Sequence, residues 1–404
     1  MLRHRFTPLA SACVACLLIG GAAGAIVERT LLVPSKAPPA SLGQKTSLAE
    51  LNQAVALIQS HYYTNDLDLN RLTHGSVNGL VDALGDPYSY YLDPAQVRAA
   101  EAEQSSPNVG VGVYLSSLGG SARPVVTGVA PGSPAEHRGL TAGEVVLTVG
   151  GVDTGELTLQ EVADRIRGPA GTAVGLRLQS GDSTFDVNLT RAAPPPSVQA
   201  SQLDGGVLYV RIYQFDASAA TAFRVQLQAA LASAPAVVLD LRNNPGGAVE
   251  AAAAVVGEFV PGGVAFELQA RSKQPSQVRV SGHPVTAAPL MVLVNGNTAS
   301  AAEIVAGALS MRRRATLVGT RTFGKDSVQG DFHLPDGADL HLTIERWLLP
   351  DGSSVAGGGL KPDQEISLAD PTLMFDPTEP QQRPAMDTQL TRALDILASS
   401  EQQP

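Results

Sequence analysis

Two runs constrain this chain more than anything else in it. Residues 236–241 (Ala-Val-Val-Leu-Asp-Leu) and 290–294 (Leu-Met-Val-Leu-Val) are almost unbroken apolar stretches, and each ends in a polar turn of small residues. Such runs read as strands buried on both faces, the pattern of a parallel sheet covered by helices. Their surroundings fit. Residues 207–215 read as a strand and 217–233 as a helix with Phe223, Leu227 and Leu231 on one side. Residues 248–260 and 301–311 read as helices, 266–271 and 277–280 as a hairpin, and strands recur through Trp347. Strands alternating with helices predict an α/β core over residues 192–369.

The chain before this core reads differently. Pro194-Pro195-Pro196 is a stiff linker and marks a boundary. Residues 103–191 hold short β-rich runs at 109–115, 125–129, 144–149 and 175–179, separated by Gly and Pro, with one helix opened by the capping box of Thr158 and Glu161. Residues 46–102 predict a small helical region. Ser47 and Glu50 form a capping box, and Leu48, Leu51, Val55 and Ile58 follow at helical spacing. A second helix near 72–84 stops at Gly85-Asp86-Pro87. Beyond residue 370 the chain is Pro-rich and polar, with one amphipathic helix through Leu390, Leu394 and Leu397. The fold class is a mixed α+β and α/β chain of several domains, as 404 residues allow.

Residues 1–32 read as a targeting segment. Arg3, His4 and Arg5 precede an uncharged run from Pro8 to Val27, 20 residues long, enough to span a bilayer as a helix. Ala23-Gly24-Ala25 resembles a signal-peptidase site, so the segment predicts either a membrane anchor or a cleaved signal. Both export the rest of the chain, to the periplasm or cell envelope. Residues 33–45 look like a tether.

Composition removes several functions. The net charge of −10 argues against a nucleic-acid partner. Cys13 and Cys16, the two cysteines, both lie in the apolar N-terminal run, which excludes a disulfide framework, a Cys-ligated zinc and a cysteine nucleophile from the folded part. No metal cluster is apparent, and no cofactor is expected. Of 28 basic residues only five are lysines: Lys36, Lys45, Lys273, Lys325 and Lys361. Lysine, unlike arginine, can lose its proton in a protein.

The chemistry gathers at three segments. Residues 238–247 (Val-Leu-Asp-Leu-Arg-Asn-Asn-Pro-Gly-Gly) lead from the first buried strand into the Gly246-Gly247 turn. Residues 291–303 lead from the second to Ser300, at a helix start between Ala299 and Ala301. A serine between small residues admits a reactant closely, and the N–H groups after it and in the Gly-Gly turn can converge as an oxyanion hole. Taken alone, a serine there is more often a plain helix cap. The third segment, Gly319 to Gln329, carries Lys325 between Gly324 and an alternating strand. Burial drives a lysine toward its neutral form, which can serve as general base to a serine. Taken alone, Lys325 reads as a solvated turn residue; the combination carries the argument.

These segments resemble the carboxyl-terminal processing, or tail-specific, serine peptidases, over about residues 46–365. The resemblance includes Leu84-Gly85-Asp86-Pro87-Tyr88-Ser89, the Asp-Leu-Arg-Asn-Asn-Pro-Gly-Gly and Asn-Gly-Asn-Thr-Ala-Ser-Ala-Ala-Glu segments, Thr322-Phe323-Gly324-Lys325 with Gln329 four residues on, and Gly359-Leu360-Lys361-Pro362-Asp363. It implies Ser300 as nucleophile, Lys325 as general base and Gln329 as the residue that positions the lysine. It also implies an oxyanion hole from Gly247 (or Gly246) and Ala301, with Asp240, Arg242 and Glu303 in support. The family fold implies a PDZ domain inserted before a crotonase-like peptidase core. Residues Val109, Gly110, Val111, Gly112 and Val113 then form the loop that takes the carboxylate of a peptide with a free apolar C-terminus, and the strand after them offers an edge for β-augmentation. Arg167, at the end of the PDZ helix, is expected to couple a loaded PDZ to Gln329. Asp326 stands where the family usually has Gly; successive strand residues face opposite ways, so it should point away from the active side. Two rival readings are a catalytically silent PDZ adaptor and a Ser-His hydrolase using His333 or His341.

Overall fold

The structure of the protein is a computed structural model. It describes residues 47–400 apart from 65, 105–108, 117–122, 231–233, 272, 281–283 and 378–383. The apolar N-terminal run and the tether at 33–45 lie outside the described residues. Among the described residues, no helix is long and apolar enough to cross a membrane.

The core is a six-stranded sheet in the order Gln364–Glu365, Thr316–Gly319, Leu290–Val294, Val237–Asp240, Leu208–Ile212, Val198–Gln202. All neighbours are parallel except the last pair. Leu290–Val294 and Leu208–Ile212 are buried at every position, because helices cover both faces. Ala219–Ala230, Val249–Gly257 and Ala301–Met311 pack one face through Phe223, Leu227, Val255, Val256, Ile304 and Leu309. The chain's last helix, Thr388–Ser400, packs the other through Leu390, Ala393 and Leu397 against Val238, Met291, Leu293 and Val318. Val238 is in register with Met291 and Asp240 with Leu293. The turns that follow these two strands therefore emerge side by side at the carboxyl end of the sheet, where open α/β sheets place their sites.

A second, antiparallel sheet joins Asp339–Leu348 to Ser327–His333 on one edge and to Gly263–Ala270 and Tyr90–Leu92 on the other, with Ser276–Val280 beyond Gly263–Ala270. The N-terminal region is thus not purely helical. Helices Ser47–His61, Leu69–Asp82 and Pro94–Gln104 flank a three-residue strand that is sewn into the peptidase core.

The middle region is a sheet in the order Val113–Ser116, Val125–Val129, Val145–Val149, Ala173–Ser180, Ser183–Thr190, with helices Pro134–His137 and Leu159–Ile166. Its own apolar core includes Val111, Val113, Leu115, Val162, Ile166, Leu176 and Leu178. The Thr158–Glu161 capping box forms as the sequence predicts: Thr158 N–H donates to Glu161 at 2.8 Å and Glu161 N–H to Thr158 Oγ1 at 3.2 Å.

Candidate active site

Ser300 sits where the Asn295–Ala299 loop turns into helix Ala301–Met311. Its backbone is held at φ 54, ψ −120, a conformation that costs a non-glycine residue about 1–3 kcal/mol and persists only where surroundings impose it. The surroundings are visible. Ala299 N–H donates to Asn244 O at 2.9 Å, and Thr298 Oγ1 donates to Leu241 O at 2.8 Å, so the serine loop is tied to the Gly-Gly loop.

The Gly-Gly turn lies directly against the serine. A Cβ on Gly246 (φ 101) would fall 2.7 Å from Ser300 Cβ and 2.9 Å from Ala301 N, so the missing side chain leaves the space before the Ala301 N–H open. No acceptor among the described residues takes the N–H of Ala301 or of Gly247. The N–H of Gly246 is different: it donates to Asn244 Oδ1 at 2.8 Å. Of the two glycines, Gly247 is therefore the one with a donor to spare, and Gly246 serves by being small.

Glu303 ties the serine to the lysine. Its Oε2 accepts the backbone N–H of Ser300 at 3.0 Å and that of Lys325 at 2.9 Å. Its Oε1 accepts the N–H of Gly324 at 2.8 Å and the hydroxyl of Thr322 at 2.6 Å. The side chain is fully buried. Burial pushes its carboxyl up from the ordinary value, and the four hydrogen bonds offset that only in part. Lys325 O in turn accepts Trp347 Nε1 at 2.9 Å. Asp326 faces away from this cluster, accepting from Ser354 Oγ at 2.8 Å with Arg346 3.6 Å off.

The Gly-Asp-Pro-Tyr-Ser segment closes the lysine's other side. Lys325 Nζ lies 4.7 Å from the centre of the Tyr88 ring. Burial alone would push the Asp86 carboxyl up, but hydrogen bonds from Ser89, Thr343 and Tyr88 N–H, together with the Lys325 charge, hold it below its ordinary value. Ser89 Oγ donates to Asp86 at 2.6 Å and accepts Thr343 N–H at 3.0 Å. Gln329 Nε2 donates to Ser327 Oγ and Thr343 Oγ1, at 2.9 and 3.1 Å. Sequence reasoning quoted this segment without giving it a place at the site; its signal was the short Asp-Pro-Tyr-Ser turn after a helix.

Other candidates lie elsewhere. Asp240 and Arg242 do not reach Ser300. Both are fully buried on the far side, where Arg242 Nη2 meets Asp240 at 2.5 Å and Asp387 at 2.7 Å, and Arg242 Nη1 donates to Gln389 at 3.0 Å. They anchor the C-terminal segment beneath the strand that feeds the Gly-Gly turn. Arg167 pairs with Asp164 of its own helix at 3.3 Å and is not bonded to Gln329. His333 pairs with Asp339 and His341 with Asp331, on the hairpin beyond the lysine. His333 lies eight positions past Lys325, roughly 25 Å of extended chain, so neither the pairing nor the reach suits a base for Ser300.

In the middle domain, the carbonyls of Val111 and Gly112 accept from Ala135 and Ala130 of the same domain, and that of Gly110 accepts from Ala192 just beyond it. The N–H groups of Val111 and Gly112 have no acceptor among the described residues. Val113–Ser116 is the end strand of its sheet, with one edge unpaired among the described residues. Val111 and Val113 are themselves buried, so any ligand here meets backbone rather than valine side chains. One group of possible metal ligands occurs among the described residues, Glu136, His137 and Asp376. The Arg211 guanidinium already lies between its carboxylates, 3.0 Å from Glu136 and 2.6 Å from Asp376, and supplies the cation that the pair needs.

Comparison with known proteins gives this geometry its context. Residues 206–366 match the family described as peptidase family S41, residues 125–180 a PDZ domain, and residues 29–95 the N-terminal domain of the activating protease CtpB. A carboxyl-terminal-processing protease of Synechocystis sp. is 33% identical over 84% of this chain and 80% of its own length. The carboxy-terminal processing protease CtpA of Bacillus subtilis is 31% identical over 81% of this chain and 72% of its own. Among solved structures, a photosystem II D1 C-terminal processing protease superposes with a TM-score of 0.63 at 28% identity, covering 82% of this chain and 89% of that one.

Proposed function

We propose, from the premise that this chain belongs to the S41 family of carboxyl-terminal processing serine proteases, that it cleaves exported proteins with a Ser300–Lys325 dyad and selects them by their tails. The observation that carries the reading is the shared Glu303 oxygen, which holds the backbone of both residues. In this reading neutral Lys325 Nζ takes the Ser300 Oγ proton as the oxygen attacks the scissile carbonyl. The N–H groups of Gly247 and Ala301 receive the charge that develops on the carbonyl oxygen. The lysine then returns the proton to the leaving amine, and water hydrolyses the ester by the same route. Gln329 steadies the lysine's strand.

Residues 109–113, where the N–H groups of Val111 and Gly112 have no acceptor among the described residues and an end strand follows, are suited to a peptide's terminal carboxylate. A loaded PDZ domain would draw Arg167 toward Gln329. The Pro8–Val27 run would carry the chain across a membrane and anchor it there or be removed.

The decisive experiment compares Lys325→Arg with Lys325→Ala and Ser300→Ala on a protein substrate and on the same substrate amidated at its C-terminus. All three variants should be folded and inactive, because Arg keeps the charge and cannot act as base near neutral pH. A Lys325→Arg enzyme with a tenth of normal turnover would make the lysine an electrostatic aid. Equal cleavage of the acid and the amide would remove the tail-reading role.

A further inference from the structure

We propose that Glu136, on the PDZ domain, is a positioning residue for the peptidase reaction: its carboxylate fixes the Asn243 side-chain amide in the orientation that staples the Gly-Gly turn to the serine loop. Glu136 lies in the short helix Pro134–His137 and is almost fully buried. Its Oε1 accepts Asn243 Nδ2 at 2.5 Å and Arg211 Nη2 at 3.0 Å, and its Oε2 accepts Gly132 N–H at 2.6 Å. Asn243 is the first residue of the Asn-Asn-Pro-Gly-Gly turn and holds a left-handed φ of 57.

The other end of the Asn243 amide faces the serine loop. Asn243 Oδ1 accepts Asn295 Nδ2 at 2.7 Å and Asn297 Nδ2 at 3.0 Å, while Asn243 N–H donates to Asn295 Oδ1 at 2.9 Å. Asn295 Oδ1 also accepts the backbone N–H of Asn297 at 3.1 Å, which fixes which end of the Asn295 amide is which. If the Asn243 amide turned over, its oxygen would face the Glu136 carboxylate and its NH2 would face two other NH2 groups. The contacts with Glu136 and with Asn295 would be acceptor on acceptor and donor on donor. A buried carboxylate at residue 136 thus selects one orientation, and that orientation holds the turn carrying Gly246 and Gly247 against the loop carrying Ser300.

The docking that brings Glu136 there is close. A Cβ on Gly132 would lie 2.5 Å from Pro195 and 2.7 Å from the Tyr213 ring. Arg211 and Tyr213 both bond Asp376, and His137 approaches the same carboxylate at 3.3 Å. Next to Glu136, Ala135 N–H donates to Val111 O at 3.0 Å, in the loop proposed to bind the tail. Resting on that reading, a tail bound at Val111–Gly112 and the oxyanion turn are separated by one helix turn and one side chain. This route is distinct from Arg167.

The test uses the full chain with Glu136→Gln, Glu136→Ala, Asn243→Ala and the double alanine variant. It measures melting temperature, kcat and KM on a tailed substrate, and the rate at which a fluorophosphonate labels Ser300. Glu136→Ala should lower kcat and labelling by about tenfold or more with KM little changed, since a displaced oxyanion donor acts on the transition state. Glu136→Gln can keep its Oε1 on Asn243 only by turning its NH2 toward the Gly132 N–H and Arg211, so it should melt lower than the native protein yet recover part of the rate that Ala loses. The double variant should be no slower than Asn243→Ala alone. Should Glu136→Ala fail to fold, Glu136→Asp replaces it, keeping a charge near Arg211 while withdrawing from Asn243, and must show the same loss. A Glu136→Ala enzyme with normal kcat and labelling, a Gln variant as slow as Ala, or a double variant slowed by both factors overturns the proposal. Labelling needs no tail, so it tests Glu136 even if the PDZ domain reads no C-terminus.

Discussion

Arg242 and Asp387 stand 145 positions apart in the chain and 2.7 Å apart in space, both fully buried. Asp240 occupies the other side of the guanidinium, and Tyr209 OH donates to Asp240 at 2.6 Å. Two residues past a central strand, the backbone is thus pinned from below by the last stretch of the protein, and the Gly-Gly turn begins on that fixed base.

Asp387→Asn should destabilise the protein by about 2–4 kcal/mol at neutral pH, less than the loss of a sole partner because Asp240 remains. The pH dependence has a definite sign. Burial raises the Asp387 carboxyl, but the Arg242 charge and the hydrogen bonds prevail and hold it below its ordinary value. Its contribution is complete above the unfolded value, near pH 4, and disappears as the pH falls through the lower folded value. Urea unfolding of both proteins at pH 7 and at pH 3 or below should show the gap closing.

Gly246→Ala and Gly247→Ala should fail in different ways. The first puts a methyl against Ser300 and the Ala301 N–H, and should lower kcat by about 10²–10³, the effect of losing one oxyanion donor. The second puts it 2.2 Å from Phe215 O, a backbone atom with nowhere to go, and should lower the melting temperature first. Calorimetry beside single-turnover kinetics separates them; equal melting points with equal rates would remove the distinction.

Glu303→Gln should be nearly inactive, down by about a hundredfold, because an NH2 must then face two of the four donors, those shared by whichever oxygen it replaces. In the native protein Glu303 keeps its proton to a higher pH than the unfolded chain does, since burial raises it. Native stability therefore falls as pH rises from the ordinary glutamate value through the raised one. Over the same window activity should climb, as the ionised carboxylate becomes the acceptor its partners need. The variant should lack this stability slope in pH-dependent thermal melts.

Tyr88→Leu should slow turnover by about two- to fivefold, the equivalent of a cation–π contact of about 0.5–1 kcal/mol, and Tyr88→Phe should not, since the ring face remains. Steady-state rates of the two variants at saturating substrate make the comparison.

How much of this was legible before any coordinates depends on range along the chain. Ser300 between two alanines and Glu303 three residues later are local signals, and helix Ala301–Met311 starts where they say it does. The parallel strands announced themselves because burial on both faces leaves no polar break. Tyr90–Leu92 did not, since three residues hold no period. Ser183–Thr190 was missed although Phe185, Val187 and Leu189 alternate with polar residues as in a strand; most of its positions face water, so the alternation marks no buried face. The contacts of Glu136 with Asn243, of Asp387 with Arg242 and of Tyr88 with Lys325 join segments more than 100 residues apart. No spacing rule tells a carboxylate which distant cation or amide it will meet. Gly246 and Gly247 looked interchangeable, and only the Asn244 side chain decided between their N–H groups.

Tyr90 is in register with His341, and His341 is in register with Asp331 on the strand that begins two residues after Lys325. The N-terminal helices and the lysine's strand are therefore attached to opposite edges of one ribbon. A hydrogen-bonded sheet yields little in its own plane, and packed interiors transmit strain rather than absorb it. Tension or torque applied to helix Leu69–Asp82, which packs on Tyr90–Leu92, would travel through that ribbon as a rigid displacement. The antiparallel sheet is a mechanical lever whose short arm ends at the proposed base.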